Sequence, residues 1–248
     1  MSGPKLTIVI PAYNESANLK NGVLDEVYDY LKAQKYSYEV LIVDDASKDD
    51  TPELVEKIIK TKKGFSLIKN EHGGKAITVM TGMLEAKGEI VLFTDMDQAT
   101  PLSEIEKFWP EFEKGNDIVF GSRQGRAGAP LIRNIATWGF VTLRKIILGL
   151  PFRDTQCGFK AFKNKVSREI FSGMLERWKN NTASGAALNA SFDVEMLFLA
   201  KKKGFKIKEV TVNWHYVGSE RFHLIRDAIE TTEDMLRIRF NDLLGKYN

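Results

Sequence analysis

This sequence has little cysteine, no strong excess of charge and no long uninterrupted hydrophobic run. Its 248 residues include one cysteine, Cys157, which excludes an internal disulfide bond and fits a reducing compartment. Residues 1–5 contain no apolar signal core ahead of the first apolar run, so we do not expect a cleaved signal peptide. These absences favour a cytoplasmic protein.

Charge and hydropathy argue against two further classes of protein. Lysine and arginine total 36 against 33 aspartate and glutamate, and a formal charge of +3 is too small to indicate a nucleic-acid binder. The most apolar stretch, residues 135–152, is interrupted by Arg144 and Lys145 well short of the ~20 apolar residues that span a bilayer. We therefore interpret it as a helix that either packs inside the protein or lies on a membrane surface.

Short apolar runs alternate with helical patterns in the first half of the chain. Strands that are apolar on both faces and separated by helices predict the α/β class, with a mostly parallel sheet between helix layers. The length fits one sizeable domain, and we expect a single domain over residues 1–248. The predicted strands cover residues 6–10, 39–43, 65–68, 90–94 and 118–120, and the predicted helices cover 17–34, 51–62 and 103–114.

The second half of the chain is less regular. We predict a helix over residues 192–203, a strand over 207–214 and a long amphipathic helix over 222–244. Asp193 and Glu195 are expected at the start of the first helix, where carboxylates favour the positive end of the helix dipole. The long helix carries one apolar stripe, for which core packing is favoured over contact with a membrane or a partner; it comprises Ile225, Ala228, Ile229, Leu236, Phe240 and Leu243.

Polar clusters follow four of the predicted strands at the point where each strand ends. In parallel sheets, ligands bind beyond the carboxyl ends of the strands, so these clusters predict a binding site along that edge. The clusters are Tyr13-Asn14-Glu15, Asp44-Asp45-Ala46-Ser47, Asp95-Met96-Asp97 and Gly121-Ser122-Arg123.

The two carboxylates of Asp95-Met96-Asp97 are the most informative of these side chains. Residues i and i+2 of a strand face the same way, so Asp95 and Asp97 converge if the strand geometry persists that far. A hard divalent ion such as Mg²⁺ or Mn²⁺ prefers carboxylate oxygens and shares them with substrate phosphates. The spacing is therefore consistent with a site for a metal and a diphosphate; the alternative is an acidic turn that caps the helix after Pro101.

Seven short motifs occur in order along the chain: VIPAYNE (9–15), VDDASKD (43–49), HGGK (72–75), DMD (95–97), GSR (121–123), DTQCGFK (154–160) and FDVE (192–195). This ordered set resembles the family 2 glycosyltransferases of the GT-A fold, and within them the dolichyl-phosphate glucosyltransferase and mannosyltransferase branch. DTQCGFK is most similar to the glucosyltransferase branch. The resemblance covers nearly the whole chain and implies a nucleotide-sugar-binding half over about 1–122 and an acceptor-side half over about 123–248.

In that family the segments after the first two strands cradle the nucleoside. The physical reason is that carboxylates accept hydrogen bonds from a pyrimidine ring or a ribose, while a tyrosine offers an aromatic face. Capping of the next helix together with Ser47 is the structural alternative for the two aspartates of the second segment. The resemblance implies donor binding for Pro11, Ala12, Tyr13, Glu15, Asp44, Asp45 and Met96.

Lys75 follows two glycines, which let the backbone approach a ligand closely while the ammonium group neutralises diphosphate charge. Similar proteins usually carry glycine directly after that lysine and often a basic residue at position 80, so Ala76 and Met80 depart from the pattern. For the metal, Mg²⁺ or Mn²⁺, the resemblance implies Asp97 as the main ligand, with Asp95 nearer the ribose or sharing the ion through water.

The resemblance implies an inverting, metal-dependent transfer of glucose from UDP-glucose to a polyisoprenyl phosphate of the dolichyl type. A lipid phosphate has a second pKa of roughly 6 and is largely a dianion at neutral pH, so it needs no strong base. Arg123 and Arg133 are our candidates for holding it, because guanidinium groups bind phosphate in bidentate geometry. Asp154 would act as a base toward a hydroxyl acceptor, or orient the acceptor loop toward a phosphate.

Several alternatives stay open at this point. GDP-mannose or UDP-GlcNAc as the donor, or a hydroxyl group as the acceptor, would fit the same fold. A nucleotidyltransferase usually carries a glycine-rich basic loop after its first strand, whereas residues 11–15 here are acidic. A non-catalytic nucleotide-sugar-binding module is suggested by Ala76 and Met80. For a lipid acceptor, residues 135–152 would supply a peripheral membrane contact, with Arg144 and Lys145 attracted to anionic headgroups.

Overall fold

A seven-stranded sheet runs through the part of the chain that the structure describes. The structure, a computed structural model, describes residues 3–123, 131–181, 189–215 and 224–247, without the side chains of 131–138, 179–181, 189–191, 224–228 and 230. The strands are β1 (Leu6–Ala12), β2 (Tyr38–Asp44), β3 (Phe65–Lys69), β4 (Ile90–Phe93), β5 (Ile118–Arg123), β6 (Lys160–Lys163) and β7 (Ile207–Val212). Their order in the sheet is β3-β2-β1-β4-β6-β5-β7.

The strands run parallel except for β6, which is antiparallel to its neighbours β4 and β5. The predicted α/β fold with a mostly parallel sheet is thus confirmed. Because the parallel strands end along one edge, the polar clusters that follow β1, β2, β4 and β5 lie along that edge. β6 begins at the same edge, since its first residue, Lys160, pairs with Phe93 of β4 and Phe120 of β5.

Helices cover both faces of the sheet, which is why its strands are apolar on both sides. Along β1, Ile8 and Ile10 belong to one hydrophobic core and Val9 to the other, as the alternation of strand side chains requires. The helices are α1 (Ser16–Lys20), α2 (Val23–Lys32), α3 (Thr51–Ile59), α4 (Gly74–Glu85), α5 (Trp109–Glu113), α6 (Leu131–Leu148), α7 (Asn164–Asn181), α8 (Asn189–Lys202) and α9 (Leu224–Leu243), with a 3₁₀ segment at Leu102–Lys107.

Two predicted helices are each divided in the structure. The helix predicted over 17–34 is split into α1 and α2 because Gly22 adopts a φ of 84°, a left-handed conformation that ends one helix before the next begins. The helix predicted over 103–114 is a 3₁₀ segment followed by α5, where Pro110 lies in the first turn and lacks the N–H that would continue the preceding helix. The sequence interpretation also missed α4, β6 and α7.

The C-terminal helix α9 corrects the expected packing of the apolar stripe. Its buried side chains are Met235 and Ile238, which join the core on the sheet face covered by α4, α7 and α8. The prediction of core packing was wrong for four side chains of the stripe that the structure describes, because each of them is more than half exposed. They are Ile229, Leu236, Phe240 and Leu243. Ile225 and Ala228 lie outside the described side chains. Among the described residues, no helix combines the length and apolarity needed to cross a bilayer.

Candidate active site

The loops after β1 and β2 are tied together by hydrogen bonds and form one unit at the edge of the sheet. The N–H of Asn14 donates to Ser47 Oγ at 3.0 Å, and the N–H of Glu15 donates to Thr51 Oγ1 at 2.8 Å. The buried Asp44 carboxylate accepts hydrogen bonds from the N–H and the hydroxyl of Ser47, at 3.1 and 2.5 Å. Asp44 therefore stabilises the turn of its own loop.

Three residues predicted to bind the donor belong to the frame of the site. Pro11 and Ala12 lie in β1, and the carbonyl of Ala12 accepts a hydrogen bond from the N–H of Asp45 at 2.9 Å. Met96 is buried in the core on the sheet face covered by α2 and the 3₁₀ segment. These residues fix the positions of the site loops relative to the sheet and its core.

Asp45 connects the second strand to the glycine loop that precedes α4. Its buried carboxylate accepts hydrogen bonds from the N–H groups of Gly73 and Gly74 at 2.8 and 2.9 Å, and lies 2.9 Å from Nδ1 of His72. The ring of His72 packs against that of Tyr13, with centroids 4.9 Å apart. Asp45 thus fixes the loop that leads into α4. Tyr13 lies beside this loop at the exposed rim of the site.

Lys75, in the first turn of α4, reaches the loop after β4. Its Nζ lies 2.5 Å from Oδ1 of Asp95. Partial desolvation by the surrounding protein would by itself lower the pKa of Lys75, but the carboxylates of Asp95, Asp193 and Asp97 outweigh that effect and raise the pKa. The ammonium group is therefore held charged beside a half-exposed carboxylate, as neutralisation of a diphosphate requires.

Glu15 shares this site with the two aspartates. Burial raises the pKa of Glu15, and repulsion from Asp97 and Asp95 raises it further, against the lowering effects of a hydrogen bond from Asn18 and of Lys75. The loops after β1 and β4 are therefore close enough for their charges to interact. A cation placed among these carboxylates would relieve the repulsion.

The Asp-x-Asp segment is a turn rather than an extension of the strand, so the strand geometry that would make Asp95 and Asp97 converge does not persist that far. β4 ends at Phe93, and Gln98 adopts a φ of 49° while its Nε2 donates to the Asp95 carbonyl at 2.8 Å. Oδ1 of Asp97 accepts a hydrogen bond from the N–H of Ala99 at 3.0 Å. The turn holds both carboxylates on one short loop at the edge of the sheet.

The residues of this loop fit a Mg²⁺ or Mn²⁺ ion that is shared with a substrate. Among the described residues, no group of three or more histidine, cysteine, aspartate or glutamate side chains has metal-ligand geometry. Two carboxylates with room for diphosphate oxygens and water suit Mg²⁺, which is bound in just this way at many phosphate sites. Space beside Asp95 depends on Gly158, where a Cβ atom would lie 2.1 Å from Asp95 Oδ2.

On the opposite side of the site, Arg123 at the end of β5 is held by Asp154. Nε and Nη2 of Arg123 donate to the two carboxylate oxygens at 2.6 and 2.8 Å, and the Arg123 N–H donates at 3.0 Å. Glu209 of β7 accepts hydrogen bonds from the N–H groups of Arg153 and Asp154, which fixes the loop. The guanidinium group also lies 5.6 Å from the ring centre of Trp214.

The pKa of Asp154 suits an anchor better than a base. Burial would raise it, but the hydrogen bonds and charge of Arg123 outweigh burial and hold the pKa below its usual range. A carboxylate with a lowered pKa accepts a proton poorly near neutral pH. Arg133 lies in the first turn of α6, and its side chain is outside the described residues.

A small open pocket lies between Asp95 and Arg123. Its cavity volume is about 50 Å³, and Asp95 and Arg123 line it from the two halves of the site. The other walls include Thr94, Thr100, Gln156, Gly158 and Trp214. The residues predicted from the loops after β4 and β5 thus meet across one cavity.

Two further charged residues lie near the site and were not assigned a part in its chemistry from the sequence. Lys160 is fully buried, and its Nζ bonds to the carboxylate of Asp193 and to the carbonyl of Cys157. The expectation that Asp193 starts a helix was wrong, because α8 begins four residues earlier, at Asn189. The one available signal was a lysine within the otherwise apolar run Phe159 to Phe162.

The departures at positions 76 and 80 have a structural explanation. Ala76 and Met80 are both buried on the face of α4 that packs into the core against the sheet. A residue at position 80 therefore faces the core and not the loop after β4. The missing basic side chain at Met80 removes no contact from the site that Lys75 and Asp95 form.

The mostly parallel sheet, interrupted by one antiparallel strand and carrying an Asp-x-Asp turn at its carboxyl edge, is the arrangement of the GT-A fold. Solved structures agree with this fold. The mannosyl-3-phosphoglycerate synthase of Rubrobacter xylanophilus matches with a TM-score of 0.67 at 15% identity, over 98% of this chain and 75% of that one. The mannosyltransferase PcManGT of Pyrobaculum calidifontis, in complex with GDP-Man and Mn²⁺, matches with a TM-score of 0.60 at 22% identity, over 98% and 65%.

Sequence comparisons identify the family. The model of glycosyl transferase family 2 matches residues 7–171. The dolichyl-phosphate beta-glucosyltransferase of Dictyostelium discoideum is 34% identical over 97% of this chain and 75% of its own length. The protein of the same name from Saccharomyces cerevisiae is 33% identical over 98% and 76%. This chain therefore belongs to glycosyl transferase family 2.

Proposed function

We propose that this protein transfers glucose from UDP-glucose to a polyisoprenyl phosphate of the dolichyl type, with inversion at the sugar C1. The observation that carries the proposal is a pocket lined by Asp95 on one side, where Lys75 contacts Asp95, and by Arg123 on the other. The site thus places one cation where a diphosphate would bind and another where an acceptor phosphate would bind. The similarity to the two dolichyl-phosphate beta-glucosyltransferases extends over nearly the whole chain and supports this choice of substrates.

On the donor side, we assign the nucleoside to the joined loops after β1 and β2. The exposed ring of Tyr13 provides an aromatic face, and Asp44 lies at the end of β2 where a carboxylate can accept a hydrogen bond from the base or ribose. Glu15 lies toward the metal end of this surface. Asp45 acts through the glycine loop that it holds, while Pro11, Ala12 and Met96 support the backbone of the site.

On the diphosphate side, Asp97 and Asp95 would hold a Mg²⁺ or Mn²⁺ ion, as the Mn²⁺ complex of the Pyrobaculum mannosyltransferase suggests. The ion would supply Lewis-acid stabilisation of the charge that develops on departing UDP. Lys75 adds a fixed positive charge to the same end of the diphosphate. Its raised pKa keeps it protonated throughout the neutral range.

On the acceptor side, an oxygen of the lipid phosphate attacks C1 of glucose, and the bond from C1 to the UDP oxygen breaks with its electron pair. No proton has to be removed, because the acceptor phosphate is already largely a dianion at a second pKa of roughly 6. Arg123 orients that phosphate, and Asp154 fixes Arg123. Arg133 remains a second candidate for the phosphate.

The test is acceptor-dependent release of UDP from purified protein. We expect release from UDP-glucose to require both a short polyprenyl phosphate and Mg²⁺ or Mn²⁺, and to exceed release from UDP-GlcNAc or GDP-mannose. The parallel reactions contain the same prenyl chain ending in a hydroxyl group, which isolates the contribution of the phosphate. Equal release with the alcohol, or pyrophosphate as the product, would contradict the proposal.

We also propose that the protein reaches its lipid acceptor as a peripheral protein on the cytoplasmic face of a membrane. The support is the exposed stripe Ile229, Leu236, Phe240 and Leu243 of α9, which packs beside α6. α6 covers most of the stretch expected to contact a membrane, and it exposes Ile146. An apolar helix face of this kind binds at the boundary between headgroups and acyl chains.

The membrane contact is tested by co-sedimentation with liposomes that contain anionic lipids. We expect the double substitution Leu236→Glu and Phe240→Glu to reduce the bound fraction about tenfold, because two charges replace apolar side chains that would enter the interface. Ser172→Glu, at an exposed position of α7, adds charge elsewhere and should leave binding unchanged. Wild-type protein that stays in the supernatant would refute the contact.

A further inference from the structure

Lys160 carries a positive charge in the interior of the protein, where burying a charge costs free energy. It is the first residue of β6, pairs with Phe93 and Phe120 on the flanking strands, and is 0% exposed. Its Nζ lies 5.3 Å from the ring centre of Phe93. A buried ammonium group needs a counter-ion and hydrogen-bond acceptors, which the carboxylate of Asp193 and the carbonyl of Cys157 provide.

The other two cations of the site are arranged differently. The side chain of Lys75 is 49% exposed and that of Arg123 is 32% exposed, so a substrate can reach both. Each is paired with a carboxylate, Asp95 for Lys75 and Asp154 for Arg123. Lys160 lies beneath these groups and cannot touch a substrate.

Asp193 pairs with the buried lysine and also acts electrostatically on the two accessible cations. Its side chain is 18% exposed and extends from α8 toward the edge of the sheet, where it meets Lys160. Its negative charge contributes to the raised pKa of both Lys75 and Arg123, so it lies within electrostatic range of each. An unpaired Asp193 would compete with substrate phosphates for these cations.

We propose that Lys160 is a positioning residue that neutralises Asp193 from inside the protein and so leaves Lys75 and Arg123 available to substrate phosphates. The pair also ties the start of β6 to α8 across 33 residues of sequence. Naming the phosphates as those of UDP-glucose and a lipid acceptor rests on the proposed function. The electrostatic role itself requires only that the site binds a nucleoside diphosphate.

The test is a double-mutant cycle read out as UDP affinity by calorimetry in the presence of Mg²⁺. Lys160→Met is expected to weaken UDP binding roughly tenfold, the equivalent of about 1.4 kcal/mol, because Asp193 then turns to the accessible cations. Asp193→Asn alone should bind UDP within about threefold of wild type, since it removes the competing charge. The combined variant should also return to within about threefold, although it lacks the ion pair altogether.

The control is Lys163→Met on the same strand. Lys163 pairs with Asp117 at 3.0 Å at the other end of β6, away from the carboxyl edge, so its loss should leave UDP affinity unchanged. Thermal melting of every variant separates affinity from unfolding. If Lys160→Met does not fold, Lys160→Gln takes its place in the cycle, because glutamine removes the charge and keeps a donor for the Cys157 carbonyl.

Three results would overturn the proposal. They are unchanged UDP affinity in Lys160→Met, no recovery in the combined variant, or a loss in Asp193→Asn as large as that in Lys160→Met. UDP binding involves no acceptor, so this cycle is independent of the lipid substrate. Absence of transfer to a polyprenyl phosphate together with the expected cycle would reject the proposed acceptor and retain the role of Lys160.

Discussion

Asp97→Asn is expected to lower kcat/KM for glucose transfer about a thousandfold, a loss of about 4 kcal/mol of transition-state stabilisation. Asparagine keeps an oxygen that can accept the hydrogen bond from the Ala99 N–H, so the turn after β4 is preserved. What it removes is the negative charge that would hold the divalent ion against the departing diphosphate. The measurement is the initial rate of UDP release across a series of Mg²⁺ and Mn²⁺ concentrations.

The metal series separates loss of ion binding from general damage. In the variant, activity should stay low and rise only at much higher metal concentration. Asp29→Asn is the matched control, because Asp29 is an exposed aspartate whose described pairing is a surface contact with Lys32 at 2.6 Å. A decrease of less than about tenfold in Asp97→Asn, with the metal dependence of wild type, would reject Asp97 as the main ligand.

Gly158→Ala is expected to lower kcat/KM about a hundredfold, although it adds only one methyl group. The new Cβ would lie 2.1 Å from Oδ2 and 2.7 Å from Cγ of Asp95, so that carboxylate must move. The movement breaks the 2.5 Å contact between Asp95 and Lys75 and displaces a ligand of the proposed metal site. Because the Asp95 side chain is 38% exposed, it can move without unfolding the protein.

The comparison variant is Gly173→Ala in α7. There an added Cβ would find its nearest neighbour, Nη1 of Arg177, at 3.4 Å, and alanine favours a helix by about 0.5–1 kcal/mol over glycine. Gly173→Ala should therefore retain wild-type activity and melt slightly higher. Wild-type activity in Gly158→Ala would mean that the position of Asp95 does not govern the reaction.

The sequence was most informative where one local pattern determines the structure. β1, β2 and β4 are apolar on both faces, which predicts buried parallel strands and places the following polar loops at one edge. Asp44, Asp45, Lys75 and Asp95 could be selected because such loops carry ligands. Their roles in donor and metal binding remain predictions for the experiments above.

The sequence was least informative where the structure depends on distant contacts. β6 has only four residues and begins with a lysine, so nothing local distinguishes it from a loop. The partner of Lys160 lies 33 residues away, and no spacing rule connects the two. In α9 the periodicity predicted a stripe, but whether Leu236 and Phe240 meet the core or solvent depends on which face α6 and α8 cover.

The reversed direction of β6 has a consequence for how this enzyme family can diversify. The segment from Asp154 to Gly158 enters the site directly before β6, between the ends of β4 and β5. The loops after β1 and β2 lie at the same edge of the sheet but in the other half of the strand order. Gly158 is constrained by Asp95, but mutations around Asp154, at the other end of this insert, can change the surroundings of Arg123 and leave the loops after β1 and β2 intact. If the acceptor binds on that side, as we propose, selection can adapt the enzyme to new acceptors while the donor is kept.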